Sequence, residues 1–505
     1  MHIAILTDFP AVTYANGPSL ATQALKRYLE ARGHRVTLVG PKPRAGDAQA
    51  PEGSVLLEAV DFRAHDGVRL PFAWPPEVFE NSQKFDVIHS HATSLLMHWA
   101  PAMRVLHGIP SVSTNTIYLP SFAQHVLPEA LYKVGFLRER LASFAPAVEA
   151  SFTRTYNAGD GLIVQCSGLE RYWRQYGLEV PLHVIPRPID PVVFDAPLGD
   201  DPFPAHFAKG GRIVSVGRHA REKDIHKLLH AFRDDVLPAV PEASLTLVGD
   251  GMEHRRLVRL AHELGVQDRV DFPGEKAHKE LRHYYGHADI FGYASLSETY
   301  GQVISEALWC GVPVVALDDE MGVAFQVEDG VDGLLVPPGA GELAALGKSL
   351  ASLLRDPSRR QAMGDRAAVR ARQRVSPDAI YARYEQAYAA AIAHRDAHPP
   401  EAFSIFRKAS WRRLAERHLV PWTTLQTLAV TLGAFREGAK SYTVPKGAHL
   451  DALPETNVQP QEKVATPMRA PHPHTHGRPH APHRPHVRPV RDPYPSHLPD
   501  RHIAI

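Results

Sequence analysis

Ser295-Leu-Ser-Glu-Thr-Tyr-Gly-Gln-Val-Ile-Ser-Glu-Ala-Leu-Trp-Cys-Gly-Val-Pro-Val-Val-Ala316 is the stretch from which the fold of this chain is read. Just before it, Asp289-Ile-Phe-Gly-Tyr-Ala294 is an apolar run of strand length bounded by polar residues. A turn carrying Glu298 and Gly301 follows, and a helix is expected from about Gln302. Gly311 is placed to close that helix, and Pro313 to Leu317 reads as the next strand. Strand, turn, helix and strand make a βαβ unit of a parallel sheet. Its turn lies at the carboxyl end, where such sheets bind ligands. The first N–H groups of the helix have no internal partner, so the turn is suited to phosphate. Glu298 in the turn and Glu306 one helical turn inside are expected to face one cleft. Carboxylates beside a phosphate site repel it unless they take hydroxyls on either side.

The whole pattern, S-x-S-E-x-x-G-x-x-x-x-E-A-x-x-x-G-x-P-V-V-A, resembles the retaining glycosyltransferases of family 4. That resemblance implies the α/β GT-B fold, two Rossmann-like domains facing each other across a cleft. It also implies transfer of a hexose from a nucleotide-diphosphate sugar. A bare Glu-x7-Glu pair would be weak support; Gly301, Gly311 and Pro313 in register make it specific. The likeness spans about residues 1–395.

Length and composition are compatible with this. The chain has 505 residues and a formal net charge of +1, so no overall field points to nucleic acid. Its two cysteines, Cys166 and Cys310, suit a reducing compartment rather than a disulfide framework. Met1 to Asp8 lacks a basic lead and reads as a first strand, and no apolar run approaches the roughly twenty residues of a spanning helix. The expected location is cytoplasmic, with a peripheral position on the inner face of the membrane left open.

Strands are expected at Ile3–Leu6, Arg35–Val39, Phe85–His89, Pro110–Thr114, Gly161–Val164 and Leu182–Ile185, with a helix reaching about Arg32. They assign 1–195 to the first domain. Pro186–Gly211, rich in Pro, Asp and Gly, reads as a linker. A second domain, 205–375, has strands at Arg212–Val216, Ala243–Val248, Val270–Phe272, Asp289–Ala294 and Pro313–Leu317. The resemblance implies that a helix at 376–395 crosses back onto the first domain. Residues 401–445 mix aromatic with basic residues and are expected to be helical, either at a membrane surface or docked on the core. From 451 to 505 the composition turns to Pro, His and Arg, too poor in apolar residues to build a core, so a disordered tail is expected.

Further motifs carry the implied chemistry. Val216-Gly-Arg218-His-Ala-Arg-Glu-Lys223 is similar to the family segment whose arginine and lysine neutralise the leaving diphosphate. Fixed cations at a developing charge lower a barrier without reorganisation. Asp224 stands where the family usually has glycine. Gly17 matches a Gly-rich loop that lets the donor approach the backbone, although a plain turn explains Asn16-Gly17 as well. Gly249-Asp-Gly251 is a further landmark, and Phe272-Pro-Gly-Glu-Lys276 lies where the base is held. On the acceptor side the resemblance points to His91, Tyr118 and Asn115, the last in place of a family histidine.

The implied catalytic set is Glu298, Arg218, Lys223 and Asn115. Donor binding falls to Gly17, Arg218, Lys223, Lys276, Glu298, the Thr299-Tyr300-Gly301-Gln302 backbone and Glu306. Glu298 would orient the sugar and Glu306 the ribose. No metal and no cofactor are implied beyond the nucleotide sugar itself, since the cations take the metal's place. Within the family, the Thr114–Val126 region and the basic aromatic segment lean towards a lipid or lipid-linked hydroxyl acceptor. A transferase acting on a soluble or polysaccharide acceptor, or a non-catalytic scaffold that binds nucleotide sugar, remain the alternatives.

Overall fold

The computed structural model describes residues 1–11, 17–44, 49–61, 69–71, 85–92, 94–115, 145–207 and 209–400. Tyr118, the 401–445 segment and the 451–505 tail lie outside the described residues.

Two parallel sheets form the described part. The first runs β3 (Val55–Leu57), β2 (Arg35–Pro41), β1 (His2–Leu6), β6 (Val87–Ser90), β7 (Ser111–Thr114), β8 (Gly161–Val164) and β9 (Leu182–Val184). Strands β4 (Ala59–Asp61) and β5 (Arg69–Pro71) pair antiparallel as a separate two-stranded sheet. The second sheet runs β12 (Val270–Gly274), β11 (Ser244–Val248), β10 (Arg212–Val216), β13 (Ile290–Tyr293), β14 (Val314–Leu317) and β15 (Gly333–Val336). Strands such as β8, β10 and β14 are buried at every residue, as expected when helices cover both faces of a parallel sheet. In each sheet the strand order reverses once, between β1 and β6 and between β10 and β13. Ligands of open α/β sheets bind at the carboxyl ends of strands beside such a reversal.

A helix from Pro377 to Ala397 leaves the second half and packs on the first. Its Ile380, Tyr384, Tyr388 and Ala391 share a core with Ile3, Ile5, Leu25, Val87 and Ile163. Removing a buried aliphatic or aromatic side chain from water contributes about 1.5–3 kcal/mol, so this face fixes the helix in place. Tyr388 adds a polar tie: its hydroxyl meets His89 Nδ1 at 2.8 Å, while His89 Nε2 meets Thr114 Oγ1 at 2.7 Å.

The structure departs from expectation in its extra strands and in the linker. Strands β3, β4, β5 and β15 were not anticipated; β3, β4 and β5, at three residues each, are too short to display a period. The Pro186–Gly211 segment is not an open linker. It contains a short helix, Pro191–Phe194, and buries Ile189, Phe194, Phe203 and Phe207 in the second half's core. Four large apolar side chains outweigh the turn-rich composition that suggested a link. Both cysteines are free thiols, and burial pushes Cys166 up to about 11 and Cys310 up to about 12.

Candidate active site

The loops after β10 and β13 leave neighbouring strands at the reversal of the second sheet, and they carry the predicted residues. The quoted stretch folds as expected: a helix spans Gln302–Trp309, and Gly311 follows it at φ 77°. The Val312 N–H donates to Ala307 O at 2.9 Å, closing the helix end. At the other end Gly301 caps the helix in the left-handed region, φ 78° and ψ 66°. A Cβ there would lie 3.1 Å from Ile304 Cδ1, so both space and backbone call for glycine.

Glu298 is 7% exposed. Its Oε1 pairs with Lys223 Nζ and accepts the Tyr293 hydroxyl at 2.8 Å. Burial alone would raise this carboxyl, but the Lys223 charge, with hydrogen bonds from Lys223, Ser295 and Tyr293, outweighs it and holds the group below the usual range. Glu298 is therefore a carboxylate, fixed in direction by Lys223 from the loop after β10 and by Tyr293 at the end of β13.

The Arg218–Lys223 loop is braced from both sides. His219 N–H donates to Asp250 O at 2.8 Å, and a Cβ on Gly249 would sit 2.0 Å from Gly217 O. Only glycine allows that approach, which gives the Gly249-Asp-Gly251 landmark its purpose. On the opposite side the Ser295 and Ser297 hydroxyls donate to Glu222 O at 3.1 and 3.4 Å. Lys223 ends a short 3-10 turn, and Asp224 then adopts φ 48° and ψ 30°. Asp224 thus keeps the left-handed backbone that a glycine would supply, and its carboxylate meets Lys227 Nζ at 3.0 Å. Arg218, about half exposed, bonds Glu222 Oε1 at 2.8 Å.

Behind the Glu298 turn, Gln326 Nε2 donates to the carbonyls of Tyr300, Gly301 and Gly322, and its Oε1 accepts from Ser305. The Tyr300 side chain points inward at 1% exposure with its hydroxyl 2.7 Å from Ser305 Oγ. Its contribution to a ligand site is therefore through the backbone. Thr299 is half-buried, and Gln302 sends Nε2 to Pro188 O at 3.3 Å. Lys276 is half-buried on the loop after β12, and Gly17 opens the Gly17–Ala31 helix after β1.

Glu306 was expected to share a cleft with Glu298, yet the two hold different partners. Glu306 is 2% exposed; Oε2 accepts the Tyr285 hydroxyl at 2.9 Å and Oε1 meets His278 Nε2 at 3.1 Å. That hydrogen bond raises His278 above the ordinary histidine value despite its burial. His278 is the more accessible member, with its side chain 29% exposed.

In the first half, His91 follows β6 at the other reversal of strand order. Its Nδ1 lies 3.2 Å from Thr22 Oγ1, Nε2 has no partner among the described residues, and burial pushes the ring down to about 3. The imidazole is neutral throughout the physiological range. Asn115 is fully buried: Nδ2 donates at 3.2 Å to the hydroxyl of Tyr156, whose ring packs against Phe152 and Trp173.

The sequence did not assign Tyr293, Ser295, Tyr285, His278 or Gln326. Ser295 lay inside the quoted stretch, and its place before Glu298 was the available signal. Tyr285 and His278 stand 21 and 28 positions before Glu306, too far for spacing to connect them.

Residues 15–193 match the family described as Glycosyltransferase Family 4, and residues 201–370 match Glycosyl transferases group 1, so the two halves are each accounted for. The chain belongs to glycosyltransferase family 4. This glycosyltransferase is 27% identical over 330 residues to the alpha-monoglucosyldiacylglycerol synthase of Streptococcus pneumoniae, covering 63% of this chain and 71% of the relative. It is 25% identical over 359 residues to a GDP-mannose-dependent alpha-mannosyltransferase of Mycobacterium tuberculosis, covering 67% and 84%. A solved sucrose-phosphate synthase from Thermosynechococcus elongatus shares the fold, with TM-score 0.60 and 24% identity over 78% of this chain and 99% of that one. The glycosyltransferase thus has the GT-B fold.

Proposed function

We propose that this glycosyltransferase moves glucose from UDP-glucose, with retention, to a lipid or lipid-linked hydroxyl. The observation that carries the donor half is the buried Lys223–Glu298 pair standing beside a helix start capped by left-handed Gly301. Lys223 and Arg218 supply positive charge for the departing diphosphate, and the open N–H groups at Gln302 add to it. Glu298, ionised and aimed by Lys223 and Tyr293, accepts hydroxyls of the transferred sugar. Glu306 and His278 form the place for the ribose. The leaving phosphate oxygen takes the acceptor's proton on the face it vacates, so the protein contributes position and charge. His91, being neutral, serves as a hydrogen-bond partner for the acceptor. The name of the pneumococcal relative supports a glucosyl group and a diacylglycerol acceptor.

Thermal unfolding against UDP-, GDP- and ADP-sugars tests the donor, because a ligand bound only by the native state raises the midpoint. A selective rise with UDP-glucose is expected. A rise with GDP-mannose alone would move the assignment towards the mannosyl relative, and no rise with any would sink the donor site. Transfer is then measured to diacylglycerol in vesicles and to fructose 6-phosphate in solution. Transfer only to the soluble acceptor would overturn the lipid half. Glu306→Ala is expected to lower turnover by at least about 100-fold.

A further inference from the structure

Pro186-Arg187-Pro188 carries the chain from the first sheet to the second half. The ring of Pro188 restricts the backbone at Arg187, and Pro186 fixes its own φ just before it. Pro188 O accepts from Gln302 Nε2 at 3.3 Å, and Ile189 N–H donates to Val375 O at 3.1 Å. The segment is therefore pinned to the first residue of the Gln302–Trp309 helix and to the end of the Pro357–Val375 helix. Arg187 itself is half-buried and lies within electrostatic reach of Glu298 and Tyr300 in the second half, Tyr384 on the crossover helix and His91 in the first. It stands where three segments of the cleft converge.

The charges around it are otherwise committed. Lys223 is paired with Glu298 and Arg218 with Glu222. Other enclosed arginines spend their donors on protein: Arg212 on Asp201 and the Phe207 carbonyl, Arg374 on the Phe325 and Gln326 carbonyls. Arg187 has neither a hydrogen bond nor an ion pair among the described residues. A guanidinium offers five donors, and here the protein itself takes none of them, which leaves the fork open to a ligand on its accessible side. Burial holds its ionisation below the ordinary arginine value, against the opposing pull of Tyr384, Tyr300 and Glu298.

We propose that Arg187 is a phosphate-binding residue of the cleft, presented by the interdomain segment beside the Thr299–Gln302 turn. This rests on the donor-site assignment above. Arginine forms paired, parallel hydrogen bonds to phosphate, which suits a fixed single contact. The phosphate has two chemical sources, the diphosphate of the donor or an anionic group on the acceptor. Because the segment joins the halves, either source would hold them together through this residue.

Titration calorimetry on the full chain separates the outcomes, using wild type, Arg187→Gln and Arg187→Lys. The probes are UDP, GDP, uridine, guanosine and inorganic pyrophosphate, with glycerol 3-phosphate and glycerol added to protein saturated with nucleoside diphosphate. A donor contact predicts that Arg187→Gln binds the preferred diphosphate at least about 10-fold more weakly while the nucleoside is unaffected, with Arg187→Lys between. An acceptor contact predicts unchanged diphosphate affinity and loss of glycerol 3-phosphate binding, with glycerol indifferent. If every phosphate probe binds Arg187→Gln as it binds wild type, the proposal is overturned. If wild type takes pyrophosphate but no nucleotide, the donor assignment fails, and a pyrophosphate loss in Arg187→Gln still supports the residue.

Discussion

Asp319 shows how one buried carboxyl sets a pH dependence. It is 6% exposed, and its Oδ1 accepts N–H groups of Met321, Val323 and Ala324 at 2.9 to 3.1 Å. Burial pushes it up to about 7, with the Glu298 charge adding to the rise and the N–H bonds opposing it. An unfolded aspartate ionises near 3.9, so between about pH 4 and 7 the native chain binds more protons than the unfolded one. Stability should then fall as pH rises through that window, and Asp319→Asn should lose the slope. Urea unfolding at pH 4.5 and 7 measures this; equal slopes would refute it. Glu298 has the opposite sign. Its carboxyl is held low, so its contribution is complete above about pH 5 and fades as pH falls through the native value. Lys223→Met leaves that carboxylate buried without its cation and should cost about 3–5 kcal/mol. The double variant with Glu298→Gln should recover most of the loss. At Asp224, glycine should be tolerated within about 1 kcal/mol, whereas valine in a left-handed backbone should cost about 2 kcal/mol more.

At the level of elements, the Glu298 turn depends on close packing from behind. A Cβ on Gly322 would lie 2.7 Å from both Glu298 O and Tyr300 O. Both contacts are backbone and cannot swing aside. Gly322→Ala should therefore shift the turn and weaken donor binding at least about 10-fold while the circular dichroism of the fold persists. Unchanged donor affinity would show that the turn is not rigidly coupled to the Gly322–Gln326 helix. The quoted βαβ unit was legible because each signal was local: an apolar run, a capping glycine at 301, a closing glycine at 311 and a proline before the strand. The Arg218–Lys223 and Glu298 loops were legible as separate motifs for the same reason. Their joining through Lys223 and Ser295 was not, because sheet neighbours 75 residues apart leave no spacing to read. Pro186–Gly211 misled for the converse reason. Its turn-forming residues are conspicuous, and its four buried apolar side chains follow neither a helical nor a strand period. Arg187 gave no signal, since the meaning of an unpaired cation depends on every other charge around it.

The described part of the chain is organised by the return of the Pro377–Ala397 helix. The two parallel halves and this crossover were expected from the family pattern, and the packing of Tyr384 and Tyr388 gives the physical reason. Tyr388→Ala should cost about 3–5 kcal/mol, and Tyr388→Phe, which loses only the His89 contact, about 1 kcal/mol. A chain ending at residue 375 should keep amide-exchange protection in β10, β11 and β14 and lose it in β1, β6 and β7. Equal protection in both sheets would show that the first half is complete without the helix. The same return has a temporal side. The first half's last strand ends at Val184, and its missing helix begins at Pro377, about 190 residues later. At ribosomal rates of 5–20 residues per second, the first half waits roughly 10–40 s after its own strands have emerged. During that interval the surface destined for Tyr384 and Tyr388 is open in the nascent chain. If the truncated chain loses protection in the first sheet as expected, the second half, contiguous in sequence, completes first, and the halves finish folding in the reverse of the order in which they are made.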